Sequence, residues 1–385
     1  MMRDPVSPAA EKPTGHPAPA AVASGLMTED FSVYLDLVRF LAALAVLVGH
    51  LDQDGMATGW LEIGHFGHEA VVIFFVLSGL VISHSAFGRE HDWRAYVAAR
   101  FARIYSVVLP AIVLSFAVKA LGVMMDPQGL GPIFFGKELA WGNLFGALFF
   151  LNESWSMSTA LPWNDPFWSL CYEAWYYVIF GLTLFVQGWR RWLWVTAAAL
   201  LAGPAILLLF PLWLLGSWLA AHGARLVPSH AWGLVIWIGS ILTIIGLHYT
   251  GVDVQIKENL HDTIPGFWHL QASQTFATDY VLGLLVAANF LAFRGLDDSA
   301  KVWLQACRKP VVFLAGYTFS LYLFHRPMSQ FIGYFFPNSG HDKAIALGSI
   351  LGVALICLAL GALTEQRKQS YRRLAMRFLG RIRPV

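Results

Sequence analysis

Long apolar runs separated by short polar segments make up most of this chain. A helix needs roughly 20 residues to cross about 30 Å of hydrocarbon, and most of the runs approach that length. The run at 139–151 has only 13 residues and is short for a crossing. The pattern predicts an all-α, polytopic transmembrane helical bundle of about ten spans with one short re-entrant or partial helix. The predicted spans are about 33–52, 69–87, 104–124, 167–188, 192–209, 211–226, 231–249, 278–293, 311–336 and 344–364.

The composition excludes a water-soluble globule. Hydrophobic residues make up 57% of the chain and charged residues 13%, against roughly 25% charged in a typical soluble domain. The mean hydropathy of +0.57 indicates that much of the surface faces lipid. The formal net charge of +2 gives no indication of a nucleic-acid partner. The three cysteines, Cys171, Cys307 and Cys357, have the spacing of neither a metal site nor a disulfide framework.

The two ends of the chain differ in composition from the apolar middle. Residues 1–30 carry five prolines among Ala, Ser and Gly, which predicts a disordered tail rather than a cleaved signal peptide. Residues 366–385 are rich in arginine and are predicted to form a basic tail. The transmembrane domain is therefore predicted to cover residues 31–365.

The distribution of basic residues predicts the orientation. If 139–151 does not cross, 20 of the 26 Lys and Arg residues fall on the side that holds both termini, and four fall on or near the other side. Short loops rich in Lys and Arg remain in the cytoplasm. Both termini are therefore predicted to be cytoplasmic, in a multi-pass protein of the cell (inner) membrane.

The first span carries three polar residues that need an explanation. Asp36 and Arg39 are three residues apart, and Arg39 and His50 are eleven apart, so all three lie on one helical face. The rise of the helix separates Arg39 from His50 by roughly 16 Å. An ionisable residue facing the interior of a membrane bundle is usually functional. The alternative is an anchoring ion pair with an interfacial histidine.

Two arginines follow the second span. Ser78 and Gly79 in that span permit close helix packing. Arg100 and Arg103 lie one turn apart, so both can point at one anion, and guanidinium groups suit phosphate. They could equally serve only as topology signals.

Two later spans contain further polar residues. Glu173 lies among aromatic residues, and the phenols of Tyr176 and Tyr177, three and four positions on, can reach its carboxylate. His325 precedes the helix-kinking Pro327. It is either a functional group or a partner for a carbonyl that the proline leaves unpaired.

Together these segments resemble acyltransferase family three, a family of integral-membrane acyltransferases. The resemblance covers about residues 30–365 and rests on five motifs in order. It implies transfer of an acyl group, usually acetyl, from a cytoplasmic thioester such as acetyl-coenzyme A to a hydroxyl of a glycan or lipid-linked sugar. The motifs are the Arg and His eleven apart, FFVLSG at 74–79, the RxxR pair, WSLCYE at 168–173 and YLFHRP at 322–327.

The resemblance also implies roles for single residues. It makes His50 the catalytic residue with Arg39, places Arg100 and Arg103 in the donor region, and includes Glu173 in a WSLxxE motif. Asp36, Tyr176 and His325 are candidate supporting residues. The chain departs from the family patterns DGLRG and RIxP at residues 36–40 and 104–106, where the charged positions remain.

The residues themselves support the same chemistry. A hydroxyl is a poor nucleophile near neutral pH, and histidine has a suitable pKa for a general base. Glu173 could orient or charge-stabilise His50, and an arginine could stabilise the oxyanion or the donor. Whether His50 carries the acyl group or only removes a proton stays open.

The predicted function is therefore membrane-embedded O-acylation of a cell-surface or exported carbohydrate. The partners are membrane lipid, acyl-CoA as donor substrate and the glycan acceptor, without a permanently bound cofactor, a metal or nucleic acid. One alternative is a proton-coupled transporter that uses His50, Glu173 and His325 as a relay. Another is an acyltransferase for a hydrophobic small molecule.

Overall fold

A computed structural model describes residues 25–57, 61–90, 92–155, 161–337 and 339–381, and these residues form helices and connecting segments without a β-strand. The predicted all-α fold class is confirmed. The tail predicted over residues 1–30 lies mostly outside the described residues. The helices are α1 (Glu29–Gln53), α2 (Gly67–Gly88), α3 (Trp93–Met125), α4 (Pro127–Ile133), α5 (Trp141–Phe149), α6 (Phe167–Phe185), α7 (Trp189–Ala202), α8 (Pro204–His222), α9 (His230–Thr250), α10 (Val252–Thr263), α11 (Phe276–Arg294), α12 (Asp298–Ala306), α13 (Arg308–Ala315), α14 (Thr318–Phe335), α15 (Lys343–Leu363) and α16 (Lys368–Leu379).

Within the described residues, seven helical segments are long and apolar enough to cross a membrane. The structure therefore confirms a multi-span helical bundle, but it does not confirm the predicted number of ten spans. The other three predicted spans correspond to α6, α7 and α14. Helix α7 has only 14 residues, and α6 and α14 carry the polar and aromatic side chains of the candidate site, which lower their hydropathy. The seven segments are Glu29–Gln53, Glu62–Gly88, Trp93–Met125, Pro204–Arg225, His230–Thr250, Phe267–Arg294 and Lys343–Leu379.

The break between α7 and α8 lies earlier than the predicted boundary near residue 210. It occurs at Gly203, whose φ of +87° favours glycine. A Cβ atom there would lie 2.7 Å from the backbone nitrogen of Trp155, so a larger residue would not fit. Pro204 then occupies the first turn of α8, where a missing N–H costs nothing. Pro211 lies inside α8 and does not end it.

The short helix α5 has the contacts of a segment that enters and leaves the bundle at one end. Before it, Glu138 pairs with Lys119 near the end of α3 at 3.3 Å. Within it, the carbonyl of Leu148 accepts a hydrogen bond from Tyr105, in the first half of α3. After it, Trp155 donates to the carbonyl of Leu200, near the end of α7. Nine residues span only about 13 Å as a helix, too little for a crossing.

The bundle has two chemically different ends. We call the end that holds Arg39, Arg100 and Arg103 the arginine side. The end that holds His50 and His325 is the histidine side. Helix α3 begins at Trp93, where the Asp92 side chain accepts a hydrogen bond from the Ala95 amide at 2.9 Å. Arg100 and Arg103 are therefore helical residues and not loop residues.

Helices α2 and α8 make the closest packing contact near the site. A Cβ atom at Gly79 would lie 1.9 Å from the carbonyl oxygen of Trp213, and one at Gly216 would lie 1.9 Å from that of Val76. Real side chains do not approach this closely, so both positions require glycine. The hydroxyls of Ser83 and Ser217 also contact at 2.7 Å. This packing fixes Ser78 beside the candidate site.

We expect Gly216→Ala to destabilise the protein by about 1–3 kcal/mol, because the added methyl group forces α2 and α8 apart. The measurement is the thermal unfolding midpoint in detergent. Gly239→Ala on α9 is the matched control, since a Cβ atom there meets nothing within 4 Å. Equal midpoints for the two variants would contradict the packing assigned to Gly216.

Candidate active site

Two histidines from different helices meet on the histidine side. His50, at the end of α1, places its Nδ1 atom 3.0 Å from Nε2 of His325 on α14. The two rings are stacked with centroids 5.1 Å apart. His325 is fully buried, whereas His50 is half-buried. His50 is therefore the member of the pair that a substrate can reach.

The hydrogen bonds around this pair assign the tautomers. Nδ1 of His325 lies 2.6 Å from the carbonyl oxygen of Leu321, which can only accept, so this nitrogen carries the proton. Nε2 of His325 then accepts from Nδ1–H of His50. The carbonyl of Val46 also accepts from the His50 ring. With the proton of neutral His50 on Nδ1, Nε2 of His50 carries the lone pair, which is the arrangement of a general base.

The proline of α14 is supported by an asparagine and not by His325. Pro327 has no N–H for the carbonyl of Leu323, four residues earlier. The side-chain amide of Asn164 donates to that carbonyl at 3.1 Å and to the hydroxyl of Ser115 at 3.0 Å. The carbonyl that Pro327 leaves unpaired is thus satisfied by Asn164 and not by His325.

An arginine next to His325 holds three segments together. The Arg326 guanidinium bonds Asp54, which follows α1, at 2.6 Å, and Asp165, which precedes α6, at 2.8 Å. The side chain is only 7% exposed, so it needs these counter-charges. Asp54 and Asp165 were not recognised in the sequence because both lie outside the apolar runs. The available signal was the arginine within a span, which requires a carboxylate partner.

The polar residues of α1 face α13 and α14. Asp36 and Arg39 form an ion pair at 2.5 Å, and Arg39 also donates to the carbonyl of Ala315 at 3.4 Å. Since His50 bonds His325 on the next helix, Arg39 and His50 share one face of α1. Arg39 lies near the middle of α1 and His50 near its end, roughly 16 Å apart along the helix axis, so they do not act on the same atom.

Glu173 belongs to the arginine side. Its Oε1 atom accepts hydrogen bonds from Ser78, at 2.6 Å, and from the phenol of Tyr177. His50 pairs with His325 instead, and no hydrogen bond joins Glu173 to either histidine among the described residues. Tyr176 does not reach the carboxylate, since its phenol donates to the carbonyl of Ile206 at 2.9 Å. Tyr177, four residues after Glu173, therefore supports the carboxylate, and Tyr176, three residues after it, does not.

A small cavity brings Glu173 together with two arginines. Its volume is ≈ 30 Å³, about the room of one water molecule. Arg39 and Arg103 both line it, and the negative charge of Glu173 acts on each of them. We call it the inner cavity. It is lined by Arg39, Phe74, Phe75, Leu77, Ser78, Arg103, Ser169, Leu170, Glu173, Thr318, Phe319 and Tyr322.

A larger, charged pocket adjoins the inner cavity on the arginine side. It has a volume of ≈ 190 Å³, and we call it the basic pocket. Arg103 and Phe319 line both spaces, with the guanidinium 4.8 Å from the ring centroid. Arg100 bonds Glu90 at 2.7 Å and lies 5.3 Å from the ring centroid of Tyr96. Both arginines therefore face one pocket, as their spacing predicts.

The opposite face of α1 lines a third, apolar cavity of ≈ 540 Å³. It extends from Tyr34, near the start of α1, to Phe66 and Glu69, near the start of α2. No residue of the histidine pair lines it. In the described ranges, no group of three or more His, Cys, Asp or Glu residues is arranged to hold a metal ion.

Comparison with known proteins identifies the family. Residues 32–364 match the family described as Acyltransferase domain. The chain belongs to this acyltransferase family, which confirms the resemblance seen in its motifs.

Acyltransferase MdmB of Streptomyces mycarofaciens is 32% identical over 158 residues. The aligned part covers 38% of this chain and 37% of that protein, so it spans little more than a third of the relative. No solved structure matches the chain.

Proposed function

We propose that this protein is a membrane O-acyltransferase that uses His50 to move an acyl group, typically acetyl, from acyl-CoA to a hydroxyl of a cell-surface or exported carbohydrate. Membership of the family supports the class of reaction. The observation that carries the residue assignment is the His325–His50 chain, which puts the proton of the half-buried His50 ring on Nδ1 and leaves Nε2 as the base. The donor rests on the chemistry of the arginine side, and the carbohydrate acceptor rests on the resemblance of the motifs.

The arginine side is the donor side in this proposal. Coenzyme A carries several negative phosphate charges, and the basic pocket offers Arg100 and Arg103 to them. The positive-inside rule puts this side in the cytoplasm, where acyl-CoA is available. The thioester arm would pass Arg103 and Phe319, which line both the pocket and the inner cavity. Arg39 and Glu173 would then lie along its path.

The transfer step takes place on the histidine side. Nε2 of His50 removes the proton of the acceptor hydroxyl while its oxygen attacks the thioester carbonyl carbon. The carbon–sulfur bond breaks, and the thiolate of coenzyme A leaves with that proton. A covalent route, in which His50 carries the acyl group first, uses the same nitrogen. In either route His325 acts by positioning His50.

The two alternative functions have weaker support. A proton relay needs His50, Glu173 and His325 in one chain of contacts, but Glu173 bonds Ser78 and Tyr177 instead. A hydrophobic acceptor would fit the apolar cavity, but that cavity lies on the face of α1 opposite His50. Family membership also favours an acyltransferase over a transporter.

We expect Arg100→Ala and Arg103→Ala to raise the KM for acyl-CoA about tenfold, because each removes a charge-assisted contact to phosphate. Steady-state kinetics on purified protein measure this effect. Substitution by Lys restores the charge but not the paired N–H geometry, so rescue should be partial. Arg190→Ala, at an exposed arginine on α7, is the control. An unchanged KM in both variants would contradict the donor assignment.

A further inference from the structure

The C-terminal helix α16 forms one wall of the basic pocket. Lys368, Gln369 and Arg372 line the pocket opposite Arg100 and Arg103. Helix α16 packs along α3, and Ala375 is its buried contact residue. The sequence indicated only a basic tail over residues 366–385, whereas the structure makes its first part a component of the pocket.

The basic residues of α16 are divided between two faces. Lys368 and Arg372 are four residues apart and share the face that carries Ala375, toward α3. Arg373 and Arg377 are also four apart, but they lie on the opposite face of the helix. Arg373 donates to Ser370 on α16 itself at 3.2 Å. Only the first pair lines the pocket.

The pocket has more positive than negative charge. Its four cationic residues face one carboxylate, Glu365. That carboxylate already accepts hydrogen bonds from the hydroxyl of Ser320, at 2.7 Å, and from its backbone N–H, at 2.9 Å. With Glu90 paired to Arg100 and Glu173 acting on Arg103, the pocket keeps an excess of positive charge on the α16 side.

Several buried donors in the pocket lack a protein acceptor. The Nε and Nη1 atoms of Arg100 and the Nε atom of Arg103 have no hydrogen-bond partner among the residues that the structure describes. Leaving buried donors of a charged group unsatisfied is costly. An anion with several oxygens would balance the excess charge, and rotation of the two guanidinium groups would turn these donors toward it.

We propose that Lys368 and Arg372 of α16 complete, with Arg100 and Arg103, a binding site for the phosphate groups of a nucleotide thioester. This inference rests on the proposed function and extends its donor site to a second element of the fold. Lys368 and Arg372 are exposed, so they contact the ligand from the solvent side, while the α3 arginines contact it from within. The two walls together hold more phosphates than either can alone.

The phosphate of an anionic lipid has the same chemistry as that of a nucleotide. A basic helix with exposed apolar residues such as Leu374 and Phe378 can also lie on a membrane surface. The experiment must therefore separate binding of coenzyme A from binding of lipid.

The test compares four forms of the full-length protein in nanodiscs of phosphatidylcholine, with and without an added anionic lipid. They are the wild type, Arg100→Ala, the double variant Lys368→Gln/Arg372→Gln, and the matched control Arg373→Gln/Arg377→Gln, which removes the same charge from the other face. Calorimetry measures binding of coenzyme A, with pantetheine as a probe that lacks the nucleotide. We expect the double variant to bind coenzyme A about tenfold more weakly, with pantetheine binding unchanged and the control equal to the wild type.

Three other results are possible, and each would overturn a different part of this inference. Equal coenzyme A affinity in the wild type and a folded double variant, with weaker binding in Arg100→Ala, would overturn the role of α16 and leave the proposed donor site standing. No binding of coenzyme A to the wild type would overturn both. A double variant that loses only its preference for nanodiscs with anionic lipid would assign the residues to lipid and overturn the inference. Thermal unfolding of each variant shows whether it is folded.

Discussion

His50→Ala is expected to abolish acyl transfer while the protein still inserts into the membrane and keeps its thermal stability in detergent. His50 is half-buried at the end of α1, and its ring is held by His325 and Val46. Loss of general-base catalysis lowers the rate by roughly 10² to 10⁴, and loss of a covalent route costs more. Replacing an ionisable group by alanine does not weaken the partition of the helix into lipid.

Comparing His325→Ala with His50→Ala separates the catalytic role of His50 from the positioning role of His325. His325→Ala leaves the proline kink satisfied by Asn164, but it removes a fully buried side chain, so we expect a moderate loss of stability in a protein that still folds. It removes the acceptor for Nδ1–H of His50, so activity should fall, but less than in His50→Ala. Acylation is measured at matched protein levels. Wild-type acylation in His50→Ala would end the case for this residue as the catalyst.

Glu173→Gln is expected to reduce both activity and stability. The carboxylate is 8% exposed, accepts hydrogen bonds from Ser78 and Tyr177, and provides negative charge to Arg39 and Arg103. Removing the negative charge of Glu173 leaves the buried charges of Arg39 and Arg103 uncompensated. This lowers the free energy of unfolding by about 3–5 kcal/mol. Thermal unfolding and acyl-transfer rates of the purified variant measure the two effects.

Tyr176→Phe and Tyr177→Phe form the matched pair for this prediction. The two phenols are neighbours in sequence, but only Tyr177 bonds Glu173, whereas Tyr176 bonds the carbonyl of Ile206. We expect Tyr177→Phe to lower the transfer rate and Tyr176→Phe to affect stability alone, by about 1 kcal/mol. Full activity in Glu173→Gln would show that the inner cavity does not need this charge.

The sequence was sufficient to find the charged residues inside the apolar runs. Lipid makes such residues costly, so Arg39, His50, Glu173 and His325 stand out from their surroundings. Helical spacing also placed Arg39 and His50 on one face of α1, and the structure shows both turned toward α13 and α14. The family motifs identified the same positions, and the match over residues 32–364 confirmed the family.

The sequence could not show which helices meet. His325 lies 275 residues from His50, and periodicity within one helix contains no information about contacts between helices. For the same reason Glu173 was considered as a partner of His50, although it lies with the arginines.

Two parts of the site lay outside the apolar pattern altogether. Asp54 and Asp165, which pair with Arg326, lie beyond the helices that the pattern marks. Helix α16 is polar on most of its surface and resembles a solvated tail in composition. Its role in the basic pocket becomes visible only when α3 is packed against it.

Mass spectrometry of cell-envelope glycans shows whether this protein acylates a carbohydrate through His50. The glycans are compared from cells that lack the protein, cells that carry the wild type and cells that carry His50→Ala at the same protein level. We expect ester-linked acyl groups that appear only with the wild type and are removed by mild base. Glycans with identical acylation in all three strains would contradict the claim that this protein acylates a carbohydrate through His50.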